Sequence, residues 1–81
     1  MKDIEKINMY LLSEVAKLKS LTQGSFGLDS HILYDLYFDS VDLMDLLMAI
    51  ENDLHIVIQD EDLETFTTLR SISNTIVHYT H

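Results

Sequence analysis

The chain has 81 residues, of which 47% are hydrophobic, 14 are acidic and 5 are basic, and it contains no cysteine or proline. This length fits one domain with a modest core and leaves little room for a deep catalytic pocket, and the lack of cysteine excludes disulfides and thiolate metal sites. The net charge of −9 argues against nucleic acid and anionic membranes as partners and favours a basic protein partner.

The first part of the chain has a helical pattern. Apolar residues recur there at three- and four-residue spacing, which predicts a helix over about residues 3–19; they are Ile4, Ile7, Leu11, Val15 and Leu18. Residues 1–9 lack the apolar stretch of a signal peptide, and no stretch approaches the ~20 apolar residues of a membrane span. We therefore expect one domain over 1–81 and a cytoplasmic location.

A long loop follows this helix. Gly24 and Gly27 lie together within residues 20–30 and mark its onset. The stretch after them is apolar but irregular and contains Ile32, Leu33, Leu36 and Phe38. It ends at Asp39, whose carboxylate is a good helix cap with Asp42 three residues on. We therefore predict that a second helix starts here.

The second helix is predicted from Ser40 to Leu54. At about 100° per residue, one side carries the residues expected in the core, namely Leu43, Leu46, Leu47, Ile50 and Leu54. After it, residues 55–58 suit an extended or turn segment, because they include β-branched side chains.

Two more helices are predicted near the C-terminus. Residues 59–62 resemble a helix start, with Leu63 and Phe66 as a short apolar face. The last helix runs from Thr68 to about Tyr79, with Thr67 or Thr68 as its cap and with an apolar stripe of Leu69, Ile72 and Ile76. We expect an all-α fold: a small four-helix bundle with three longer helices, one short helix and a long loop between the first two.

The acidic residues are concentrated in the middle of the chain. The 50 residues between Lys19 and Arg70 contain no lysine or arginine and 11 of the 14 acids. The predicted second helix also has a second apolar stripe, which consists of Val41, Met44 and Met48 and is flanked by Asp45 and Glu51. This stripe is either a docking face for basic protein partners or is covered by another helix or by the loop.

Ser40 begins the second helix. If Asp39 supplies the capping carboxylate, the Ser40 hydroxyl is free to project into solvent at the positive end of the helix dipole, where a phosphate ester would be favoured. The alternative is that Ser40 belongs to the cap. A second Asp-Ser pair, Asp29 and Ser30, is followed by no long helix, so context and not the dipeptide selects Ser40.

From residue 31 to residue 76 the chain resembles the acyl carrier protein family, which includes the peptidyl carrier proteins. Residues 39–51 are similar to the family's Asp-Ser-Leu motif and the acidic helix after it. Residues 58–62 resemble its Ile-Pro-Asp-Glu-Glu turn, and residues 66–69 resemble the threonine pair before its last helix.

The resemblance implies that Ser40, next to Asp39, receives a 4′-phosphopantetheine arm from coenzyme A, placed by a phosphopantetheinyl transferase. The arm's thiol would carry acyl or aminoacyl groups as thioesters, so the chain would be a carrier and not an enzyme. Further partners would be a ketosynthase, an acyltransferase or an acyl or aminoacyl ligase with basic patches. The docking face would join Val41, Met44 and Met48 to a charged rim of Asp39, Asp42, Asp45 and Glu51. A carrier must leave Ser40 exposed, so we expect a monomer.

The chain departs from the family pattern in two places. Tyr37 and Phe38 stand where the family usually has a glycine shortly before the Asp-Ser pair, and Gln59 stands where it usually has proline. The aromatic pair favours a carrier dedicated to one pathway, such as polyketide, aryl-polyene, lipid or siderophore synthesis, over a generic role in fatty-acid synthesis. The alternative from another class is a non-carrier acidic adaptor that docks basic proteins without a prosthetic group.

Other chemistry has little support in the sequence. The histidines show no i, i+4 pairing that would suggest zinc, and the acids near residue 60 lack the spacing and glycine of a calcium loop. Ser40 has no G-x-S-x-G elbow around it, which disfavours a serine hydrolase. Tyr10, Tyr34 and Tyr79 are interpreted as core or boundary aromatics.

Overall fold

The computed structural model describes residues 4–80. It contains four helices, α1 (Ile4–Lys19), α2 (Ser40–Leu54), α3 (Asp60–Leu63) and α4 (Leu69–Tyr79). The described part of the chain has no strand, only an isolated bridge between residues 31 and 68. The predicted all-α four-helix bundle with one short helix is confirmed. Only the first residue expected in α1, Asp3, lies outside the described residues.

The core lies between the three longer helices. Each of them contributes three large buried apolar residues, because the apolar periodicity of each helix turns one stripe inward. α1 adds the small Ala16, and the connecting segments add more. The helical set is Ile7, Leu11, Val15, Leu46, Leu47, Ile50, Leu69, Ile72 and Ile76, and the set from the connections is Ile32, Leu36, Phe38, Ile58 and Phe66.

Two residues expected in the core are only half-buried. Leu43 and Leu54 pack against the core but remain partly exposed. They lie in the first and last turns of α2, where neighbouring elements cover less of the helix than they cover at its centre. No helix in the described range is long and apolar enough to cross a membrane.

The long loop is attached to the start of α4. The Ile32 N–H donates to the Thr67 carbonyl at 2.8 Å, and the Arg70 N–H donates to the Leu28 carbonyl at 2.8 Å. Thr68 caps α4 by accepting from the Ser71 N–H, which confirms one of the two predicted caps. These bonds fix the loop, so that its last residues lead into α2 in one orientation.

The start of α3 is anchored where the sequence departs from the family. The Gln59 N–H donates to the Tyr79 hydroxyl at 3.1 Å, and the same hydroxyl donates to Asp62. The hydrogen bond to Asp62 is the main cause that raises the pKa of Tyr79. A proline at position 59 has no N–H to donate, so the hydrogen bond from residue 59 to Tyr79 depends on the departure from the pattern, whereas the bond between Tyr79 and Asp62 does not.

Candidate functional site

The start of α2 is closed by two aspartates. Asp39 is extended, and its Oδ1 accepts from the Asp42 N–H at 2.7 Å. In return, Asp42 Oδ2 accepts from the Asp39 N–H at 3.1 Å. This capping box confirms the predicted helix start and satisfies two backbone donors with carboxylates.

Ser40 is therefore not needed for the cap. It is the first residue of α2 and is exposed, and no hydrogen bond joins its hydroxyl to another of the described residues. A hydroxyl here lies at the positive end of the helix dipole, which favours an attached phosphate. The geometry leaves the Ser40 oxygen available for reaction.

Lys19, the last residue of α1, joins this site although the sequence analysis did not select it. Its ammonium donates to Asp42 Oδ2 at 2.8 Å and to the Tyr37 carbonyl at 3.3 Å, and it lies 5.6 Å from the Phe38 ring centroid. Its hydrogen bond is the first cause that lowers the pKa of Asp42, followed by the bond from the Asp39 N–H. The only signal in the sequence was its place as the last cation before the acidic stretch.

The two aromatic residues before Asp39 have different environments. Phe38 is buried, whereas Tyr37 is 77% exposed and has a positive φ of 55°. Tyr34 is 75% exposed, so its interpretation as a core or boundary aromatic is wrong. The sequence did not distinguish these residues, because burial in an irregular segment follows no period.

The second apolar stripe of α2 is exposed. Val41, Met44 and Met48 are 64%, 54% and 62% exposed. The alternative in which another helix or the loop covers them is wrong for the described part of the chain. α2 thus carries an apolar stripe that begins directly beside Ser40 and extends for about two turns.

The acids around this stripe have unequal roles. Asp45 is exposed, whereas Glu51 is half-buried and its Oε2 accepts from the Ile58 N–H at 2.9 Å. Asp42 is likewise engaged within the chain, by Lys19 and by the cap. Asp39 and Asp45 are therefore the more accessible charges of the predicted rim, and Glu51 also holds the segment after α2.

A small open cleft lies between α1 and α2. Its volume is about 250 Å³, and it is lined by Glu14, Lys17, Leu18, Asp45, Leu46 and Ala49. These residues include no serine, threonine, cysteine or histidine. Within residues 4–80, no group of three or more potential ligands could hold a metal ion.

Comparison with known proteins agrees with this geometry. The family model described as "Phosphopantetheine attachment site" matches residues 10–76. The chain belongs to the acyl carrier protein family. It is 33% identical to the acyl carrier protein of Buchnera aphidicola subsp. Baizongia pistaciae over 94% of this chain and 97% of that protein. It is 34% identical to that of Cyanidium caldarium over 90% of this chain and 85% of that protein.

A third relative, the acyl carrier protein of Clostridium perfringens, is 33% identical over 82% of this chain and 87% of that protein. The resemblance found in the sequence is thus confirmed, and with it the prosthetic group, a covalently attached 4′-phosphopantetheine. Proteins of this family are carriers and not catalysts. The exposed, unbonded hydroxyl at the start of α2 has the chemistry that a phosphate ester of this group requires.

Proposed function

We propose that Ser40 is the attachment residue of this carrier protein. The observation that supports the proposal is that Asp39 and Asp42 form the cap at the start of α2, so that Ser40 remains exposed. Among the described residues, no other serine is the first residue of a long helix with its cap already made by a neighbour. The hydroxyl is then used for chemistry and not for folding.

The loading step requires little of this chain. Ser40 Oγ forms a bond to the phosphorus that bears the pantetheine of coenzyme A, and the bond from that phosphorus to the departing adenosine 3′,5′-bisphosphate breaks. The serine proton passes to a base of the transferase, since the nearby carboxylates of this chain are held in the capping box. The positive end of the α2 dipole would favour the new phosphodiester anion.

Once attached, the prosthetic group supplies a thiol that carries an acyl or aminoacyl group as a thioester, which this cysteine-free chain cannot supply itself. Ser40 holds the anchor point of the arm at a rigid helix terminus. The carrier would deliver these groups between enzymes of fatty-acid, polyketide or related synthesis in the cytoplasm.

The exposed stripe on α2 is the proposed docking face. Val41, Met44 and Met48 offer an apolar surface, and Asp39, Asp42, Asp45 and Glu51 add negative charge around it. Such a surface complements a partner with apolar pockets and basic edges, and charges of this kind act mainly on association rates. The partners would be the transferase and a ketosynthase, acyltransferase or acyl or aminoacyl ligase. The free carrier would be monomeric, which keeps Ser40 accessible.

Intact-protein mass spectrometry tests the proposal. The protein is measured before and after incubation with coenzyme A, Mg²⁺ and a phosphopantetheinyl transferase, and the product is mapped by peptide analysis. We expect a gain of one phosphopantetheine on Ser40. A folded protein that gains no mass with any transferase of its own organism would contradict the proposal and favour the acidic adaptor.

A further inference from the structure

Tyr37 adopts a backbone conformation that is unfavourable for its residue type. Among the described residues, three that are not glycine have a positive φ, namely Ser20, Tyr37 and His55. Ser20 and His55 directly follow α1 and α2, where a left-handed residue commonly ends a helix. Tyr37 instead lies before a helix, in a position where glycine would avoid the steric cost of Cβ.

Contacts on both sides hold Tyr37 in this conformation. Its neighbours Leu36 and Phe38 are both buried in the core, and the Phe38 N–H donates to the Ile32 carbonyl at 2.8 Å. Lys19 binds the Tyr37 carbonyl and connects it to the cap of α2 through Asp42. The Tyr37 side chain is 77% exposed, so the core does not need the ring.

Tyr37 lies close to Ser40 along the backbone. Tyr37 is three residues before Ser40, so their Cα atoms are at most about 11 Å apart. Enzymes that act on the thiol work at the far end of the arm, whereas the transferase must bring its active site to Ser40 Oγ itself. The transferase is therefore the partner whose active site must come closest to Tyr37.

The charges around Tyr37 indicate what the partner should offer. Asp35 and Asp39 on either side of it are exposed, and the nearest described cation, Lys19, is already bound to Asp42. An exposed aromatic ring with an exposed aspartate two residues away on each side suits an apolar pocket with an arginine or lysine at its edge, because such a cation can stack on the ring or pair with a carboxylate.

We propose that Tyr37 is a recognition residue for the phosphopantetheinyl transferase, and that its ring occupies an apolar, cation-edged pocket of that enzyme during loading of Ser40. This inference rests on the proposed function. Local strain retained at an exposed side chain next to the reactive group is typical of a functional position.

The test compares four variants with the wild type in steady-state loading from coenzyme A, with the transferase of the same organism that loads the wild-type protein. Tyr37→Gly and Tyr37→Asn both remove the ring but tolerate the left-handed backbone. Tyr37→Phe keeps the ring. Tyr34→Ala removes a comparably exposed tyrosine from the same loop and is the matched control. Thermal unfolding of each variant confirms that the fold is retained.

We expect both ring-deleted variants to lower kcat/KM by about tenfold or more, mainly through KM, as for the loss of an aromatic anchor at an interface. Tyr37→Phe and Tyr34→Ala should stay within about twofold of the wild type, by the same measure. Wild-type rates for Tyr37→Asn would overturn the inference, even with a slow Tyr37→Gly, because they would assign the effect to the backbone. An unloaded wild-type protein would instead contradict the proposed function itself.

Discussion

The chain contains two Asp-Ser pairs, and the fold gives them opposite environments. Asp29 forms two hydrogen bonds with Arg70, at 2.9 and 3.3 Å, and Ser30 Oγ accepts from the Gly27 N–H at 2.9 Å. In the second pair, Asp39 caps α2 and leaves the Ser40 hydroxyl exposed. The dipeptide alone therefore defines no site; a reactive serine also requires a helix start and a neighbour that makes the cap in its place.

The strongest test of this difference is to remove each hydroxyl in turn. Ser40→Ala should abolish phosphopantetheine loading and leave the melting temperature nearly unchanged, because the residue is exposed and its hydroxyl makes no hydrogen bond with the described residues. Ser30→Ala should load normally, since its hydroxyl serves only the loop. Mass spectrometry and thermal unfolding of the two variants provide the measurement. Loading of Ser40→Ala at another residue would contradict the assignment.

The second comparison concerns what the two aspartates do for stability. Asp39→Ala removes the cap of α2 and should lower the free energy of unfolding by about 1 kcal/mol. Asp39→Asn is the matched control and should cost much less, because asparagine caps about as well as aspartate. Asp29→Ala should have a smaller effect than Asp39→Ala, since its ion pair with Arg70 is exposed. Urea unfolding measures all three; equal stability of Asp39→Ala and wild type would show that the cap contributes nothing.

The third difference is the acidic helix that follows only the second pair. Asp45→Lys should slow association with a basic partner enzyme by roughly threefold at low salt, because exposed charges steer encounter. Glu64→Lys makes the same charge change on an exposed residue outside α2 and should have a smaller effect. Stopped-flow or surface-binding kinetics at two salt concentrations would measure this. Equal rates for the two variants, or rates that do not depend on salt, would count against the α2 face.

The smallest expected effects on stability come from two cations, Lys19 and Arg70. Lys19 pairs with Asp42 close to the second Asp-Ser pair, and Arg70 pairs with Asp29 of the first. Lys19 and Arg70 lower the pKa of Asp42 and Asp29 below the ordinary value of 3.8, in each case first through a hydrogen bond to the carboxylate. A depressed folded-state pKa stabilises the fold above the unfolded pKa, and this stabilisation is lost as the pH falls through the folded-state pKa.

Lys19→Met should therefore lower the melting temperature at pH 7, and the gap to wild type should narrow as the pH falls below 3.8. Arg70→Met should show a smaller gap at pH 7, because the side chains of Arg70 and Asp29 are more exposed than those of Lys19 and Asp42. Thermal unfolding between about pH 2.5 and pH 7 would measure both gaps, because this range spans the titration of carboxylates. A gap for Lys19→Met that widens in acid would contradict the role given to its bond with Asp42.

Features that depend on residues close together in the sequence could be predicted from it. The start of α2 and its capping box follow from Asp39 and Asp42, and the end of α2 follows from the β-branched residues within 55–58. The apolar spacing predicts the buried stripe of each long helix. Leu43 and Leu54 were predicted to lie in the core but are only half-buried. Periodicity gives the direction of a side chain but not how far its neighbours cover it. For the same reason the sequence could not decide whether Val41, Met44 and Met48 were covered.

The sequence by itself predicted the four helices, the cap of α2 by Asp39 and the acidic middle of the chain, because these rest on periodicity and on hydrogen bonds within a few residues. Its resemblance to the family selected Ser40 as the candidate for attachment. Only the tertiary structure decided that Lys19 binds Asp42, that Glu51 holds Ile58, and that Tyr37 is exposed beside a buried Phe38. Such contacts join segments that are distant in the chain or irregular in conformation. They depend on how the helices pack, which no local pattern specifies.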